Sequence, residues 1–126
     1  MGVQSSVEMA EAFVSKFNER DGAGLMALYA PDAVFTFDGV TFARGTEQIK
    51  AAIDGFLASK MTLRGKYVDE PLVAGDVAMC SLRWEMLNEE GWIDQDGVSV
   101  EVLKRGADGL WRFAIDDATG ASRERD

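Results

Sequence analysis

One run near the C-terminal end constrains this chain more than any other. Val98, Val100 and Val102 alternate with Ser99 and Glu101, a glycine-bearing turn follows at residues 105–109, and Trp111, Phe113 and Ile115 alternate with other side chains on the way back. A period of two on both arms makes an antiparallel hairpin with one dry face. Everything upstream has to supply a partner for that face.

The upstream chain begins with helical spacing. Val7, Ala10, Phe13, Val14 and Phe17 recur at three and four residues, and Ser5 with Glu8 forms a capping box, which predicts a helix over residues 5–20. Asp21 caps a second, short helix over 24–29 that Ala30-Pro31 stops, because the residue before proline avoids helical geometry. The period then changes: 33–37 is β-branched and aromatic, Asp38-Gly39 signals a tight turn, and 40–42 returns. A third helix starts at Gly45 with Thr46 as cap, carries Ile49, Ala52, Ile53, Phe56 and Leu57 on one face, and ends near 59. Beyond Met61 four strands are predicted, over about 61–68, 76–87, 92–104 and 110–116, with a bulge at Asp94-Gln95-Asp96-Gly97.

Helices in front and a meander behind predict an α+β fold, a curved antiparallel or mixed sheet wrapped around three N-terminal helices with a conical space between them. At 126 residues, 1–126 is read as a single domain. Only the extreme C-terminus, 122–126, has the composition of a loose end.

Composition excludes several functions. Thirteen basic against 22 acidic residues give a net charge of -9, which argues against nucleic acid and against an anionic membrane as partners. With no histidine there is no Ser-His-Asp or Cys-His arrangement and no imidazole metal site, and Asp94 and Asp96 lack the spacing of a calcium loop, so no metal is expected. No glycine-rich phosphate loop is present and no cofactor is implied. The lone Cys80 lies in an apolar stretch as a small buried thiol. With no apolar run of about 20 residues, the expected location is the cytoplasm.

Asn18-x-x-Asp21, Leu28-Tyr29-Ala30-Pro31-Asp32-Ala33-Val34, Gly45-Thr46 with Ile49, and Asp108-Gly109-x-Trp111-Arg112-Phe113 together resemble the nuclear transport factor 2-like superfamily. Within it the chain is most similar to SnoaL-like and ketosteroid-isomerase-like proteins. That resemblance implies a cystatin-like cone with a ligand pocket and a homodimer packed through the outer sheet face. Ser81, Arg83, Glu85, Ser99 and Glu101 are the polar residues expected on such a face. In steroid isomerisation a carboxylate moves the proton while a tyrosine and a neutral acid hold the enolate oxygen. Threading the chain onto that pattern puts Phe13 at the tyrosine, Phe37 at the base and Val100 at the neutral acid, so the usual mechanism is not expected.

Asp38 beside Gly39 reads as turn chemistry. The candidate catalytic residues are instead Asp117 and Asp116, which end the Trp111-Phe113-Ile115 strand. Unbroken alternation gives the pocket Asp117, and a single bulge gives it Asp116. Phe13, Phe17, Tyr29, Phe37, Trp84, Val100 and Phe113 are the candidate ligand-binding residues, with Tyr29 able to donate a hydrogen bond. The function read from these residues is a pocket for a small, mostly apolar organic molecule. Its enzymatic form is a cofactor-independent lyase, isomerase or hydrolase using a terminal-strand carboxylate. The alternative is a non-catalytic dimeric binding or assembly module with a filled or vestigial pocket.

Overall fold

A computed structural model describes residues 2–123. Ser5 opens the first helical segment with the predicted capping box: its hydroxyl accepts from Val7 N–H while Glu8 accepts from Ser5 N–H. The segment starts as a 3-10 turn, Ser6–Glu8, and continues as α1, Met9–Asn18. Asp21 caps α2, Gly22–Met26, by accepting from Gly24 N–H at 2.8 Å. The Asn18-x-x-Asp21 motif has a physical role here. The Asn18 amide donates to Leu63 C=O and accepts from Leu63 N–H, both at 2.7 Å, which binds the end of α1 to the edge of a strand.

Tyr29 is not helical as predicted but begins β1, Tyr29–Thr36, which tolerates Pro31 because a bulge interrupts the ladder there. A loop follows in which Asp38 Oδ1 accepts from Val40 and Thr41 N–H, and β2, Phe42–Arg44, returns. Gly45, at φ +78°, makes the corner into α3, Gly45–Leu57. Arg44 rather than Thr46 is the N-cap of α3, without a capping side chain.

The remaining strands are β3 (Thr62–Tyr67), β4 (Leu72–Ala74), β5 (Val77–Cys80), β6 (Leu82–Leu87), β7 (Ile93–Val98), β8 (Val100–Arg105) and β9 (Trp111–Asp117). The short β4 was not anticipated, and the two long predicted strands are each broken, at Ser81 and at Ser99. One sheet has the order β2-β1-β9-β8-β5-β4, with β1 parallel to β9 and its other neighbours antiparallel; β3-β6-β7 form a second, antiparallel sheet. The breaks are the hinge between the sheets. Ser99 N–H still donates to Leu82 C=O, whereas Leu82 N–H donates to the Ser99 hydroxyl, each at 2.9 Å. A side-chain oxygen thus replaces a ladder acceptor where the hairpin bends. A bulge at Asp94, between the Met86–Gln95 and Leu87–Ile93 pairs, adds twist within the predicted stretch.

α1 packs on β3 and α3 on β1, and the core between helices and sheet includes Met9, Phe17, Leu28, Ile49, Leu103 and Phe113. Each large apolar side chain buried in this way stabilises the fold by roughly 1.5–3 kcal/mol. This is the predicted α+β cone. No helix among the described residues is long and apolar enough to cross a membrane. Ser122 and Arg123 lie in a 3-10 turn, Ala121–Arg123; the rest of the predicted loose end, 124–126, lies outside the described residues.

Candidate functional site

The facing of β8 decides the chemistry of the cone. Its valines invite burial, yet Val100 and Val102 are only half-buried, while Ser99, Glu101 and Leu103 are 2%, 4% and 0% exposed. The expectation that Ser99 and Glu101 lie on the outer face is therefore corrected: both face inward. Leu103 determines this, because it pairs with Phe113 in the core and the period of two then carries Glu101 and Ser99 to the same side.

β9 follows by a bulge. Leu103 pairs with Phe113 and Val102 with Ile115, so Ala114 has no partner and the alternation slips by one. Beyond it Ile115 points outward, 46% exposed, and Asp116 turns in opposite Glu101. Direct cross-strand partners have Cβ atoms about 5 Å apart, which puts two carboxyls side by side.

A cavity of about 60 Å³ sits against this pair. Phe13, Phe17, Phe37, Trp84 and Phe113, five of the expected ligand-binding residues, line it. Two expected residues do not: Val100 is turned to the opposite face of β8, and Tyr29 stands behind the wall. Val100, threaded onto the neutral-acid position, thus faces away from the cavity, and the carboxyl that faces it from this strand is that of Glu101. Asp117 also stays outside the cavity. It is buried beneath the 121–123 turn and accepts from Ser122 N–H at 3.0 Å and from the Ser122 hydroxyl.

The polar part of the cavity is small and connected. Tyr29 donates its hydroxyl to Asp116 Oδ2 at 2.6 Å, Ser99 donates to Glu101 Oε2 at 2.6 Å, and the Cys80 thiol lies 3.5 Å from Glu101 Oε1. Burial first, and then the charge of Asp116, pushes Glu101 up to about 8. Burial likewise raises Asp116 to about 6; the Tyr29 hydrogen bond opposes the rise and Asp117 adds to it. Two buried carboxyls side by side therefore hold one proton between them near neutral pH. Burial, followed by the neighbouring Glu101, raises the Cys80 thiol to about 12, so it is not a nucleophile.

Sequence reasoning missed Glu101 and Ser99. The available signal was Leu103, the one strongly apolar residue out of phase with the valines.

A curved mixed sheet folded over three helices is the fold of the nuclear transport factor 2-like and cystatin-like proteins. The sequence profile of the SnoaL-like domain matches residues 10–117, and the chain belongs to that family. No protein of curated function matches it. Among solved structures, a candidate calcium/calmodulin-dependent protein kinase type II association domain from Thiobacillus denitrificans is 20% identical, with a TM-score of 0.78 over 94% of this chain and 98% of that one. A ketosteroid isomerase-like protein from Erwinia carotovora atroseptica is 21% identical, with a TM-score of 0.68 over 88% of this chain and 90% of that one. A domain of unknown function with a cystatin-like fold from Nostoc punctiforme is 16% identical, with a TM-score of 0.76 over 92% of this chain and 73% of that one. At these identities the likeness is one of fold.

Proposed function

We propose that this protein binds a small, mostly apolar organic molecule in the cone and transfers a proton on it with the Asp116–Glu101 pair. The observation that carries the reading is the placement of two buried carboxyls, opposite each other on β8 and β9, in a cavity walled, Ser99 apart, by aromatic and aliphatic side chains. An apolar pocket with few convergent polar groups is the usual form of a small-molecule site, and perturbed carboxyls gather where proton transfer is done. Asp116, held by Tyr29, is the base; Glu101, carrying the shared proton, is the acid. A cofactor-independent isomerase, lyase or hydrolase needs no more than such a pair.

A fragment screen by amide-resolved NMR tests the reading. Small apolar compounds are expected to shift Phe13, Trp84 and Phe113 in the wild type. They should cease to do so in Ala10→Leu, where three added carbons fill the cavity from α1. Binding that survives Ala10→Leu places the ligand elsewhere and sinks the proposal.

A second reading concerns assembly. Val34, Ile115, Val102, Met79 and Leu72 form one cross-strand row on the outer face of β1, β9, β8, β5 and β4, with Met79 50% and Leu72 68% exposed. A continuous apolar row on a convex face suits a symmetric homodimer. The two readings are compatible, since one uses the inner and the other the outer face of the sheet. Assembly without a ligand is the outcome if the screen finds none.

A further inference from the structure

The cavity is rich in acceptors and has spent its hydroxyl and indole donors. The Tyr29 hydroxyl is given to Asp116, the Ser99 hydroxyl to Glu101, and the Trp84 indole N–H to Ala118 C=O at 2.6 Å. Asp116 is 5% exposed, lines the cavity, and its Oδ1 accepts no hydrogen bond among the described residues. No lysine or arginine lines the cavity, and no ion pair reaches either carboxyl among the described residues. An anionic ligand would meet two acids, and the one O–H left to an enolate oxygen is the proton those two carboxyls share. What the site lacks is positive charge.

The walls agree with this. Phe13 meets Phe113 edge to face at 5.8 Å, and Phe37 stands 5.2 Å from Phe56 and 5.9 Å from Trp84, centroid to centroid. Aromatic faces around a dry space attract organic cations through their quadrupoles, most strongly when the cation is desolvated. Buried carboxylates hold an ammonium only when its donors are all used, and Asp116 Oδ1 together with Glu101 offers acceptors on one side.

We propose that the ligand of this cavity is a small organic cation, a primary or secondary amine, whose ammonium lies between Asp116 and Glu101 and whose hydrocarbon body packs on the aromatic wall. This rests on the cavity being the binding site and adds the charge of what it binds; with such a ligand the ammonium, and no longer Glu101, is the acid of the site. The ammonium takes the place of the proton the two carboxyls share, so binding releases that proton to solvent and leaves Asp116 and Glu101 both ionised beside the cation.

Three compounds of like shape test the inference by titration calorimetry at pH 7: cyclohexylamine, cyclohexanol and cyclohexanecarboxylate. The amine is expected to bind at least about tenfold more tightly than the alcohol, with the carboxylate the weakest of the three. Repeating the amine titration in buffers of different ionisation enthalpy should show close to one proton released. Asp116→Asn and Glu101→Gln, each checked for folding by thermal melting, should narrow the gap between amine and alcohol; if either fails to fold, proton release in the wild type still decides. Alcohol binding as tight as amine, tighter carboxylate binding, or no proton release would overturn the cationic ligand while leaving the cavity reading intact. If none of the three binds, the cationic ligand is refuted, and amide shifts in the fragment screen then decide the cavity separately.

Discussion

Replacing Glu101 by glutamine should stabilise the protein in alkali and destabilise it in acid. The sign follows from proton uptake. Glu101 is raised from 4.5 to about 8, so between those values the native state holds a proton that the unfolded chain has lost. Stability is then fully present below about 4.5 and falls as pH rises toward 8. At 1.36 kcal/mol for each tenfold change in proton concentration, that interval sets a ceiling of about 5 kcal/mol by pH 9. A buried glutamine amide that is imperfectly paired costs about 1–3 kcal/mol in return. Ser99 can still donate to its carbonyl oxygen, and Asp116 opposite can accept from its amide. The net expectation is a variant about 2 kcal/mol more stable than wild type at pH 9 and about 2 kcal/mol less stable at pH 5. Urea unfolding at pH 5, 7 and 9, with unchanged slope, measures the difference directly. Parallel stability curves for the two proteins would mean that Glu101 is not a strained buried acid, and the reasoning would fail.

Tyr29→Phe leaves Asp116 Oδ2 without its donor, and a hydrogen bond to a charged group is worth roughly 1.5–3 kcal/mol. The loss should be largest above pH 7 and shrink toward pH 5, as Asp116 takes up its proton through about 6, read by the same unfolding series. Ser99→Ala removes the acceptor of Leu82 N–H and the donor to Glu101 together, and should cost about 2–3 kcal/mol. Hydrogen exchange at the Leu82 amide should rise with it; an unchanged rate would show that the bend does not depend on the serine. Ile115→Lys, at the centre of the outer apolar row, should give a monomer by light scattering with the cavity unaltered. A wild-type protein that is already monomeric would refute the homodimer.

Local patterns in the sequence determined the elements and the fold class. The Ser5–Glu8 capping box, the Asp21 cap and the helical spacing of Ile49, Ile53 and Phe56 depend on neighbours within one or two turns, so the chain alone specifies them. The aromatic wall was legible for the same reason, since Phe13, Phe17 and Phe113 lie on apolar faces whichever strand they meet. Facing along β8 and β9 was not local. Val98, Val100 and Val102 outvoted Leu103 in the pattern, but Leu103 packs against Phe113 and decides which side is in. The break at Ser99 and the unpaired Ala114 arise only when two sheets bend over the helices, and the unpaired Ala114 reverses the meaning of alternation beyond it. That tertiary bend puts Glu101 opposite Asp116 in the cone and leaves Val100 and Asp117 outside. A period of two carries one bit of information per strand, and here the packing around Leu103 and Phe113 supplied it.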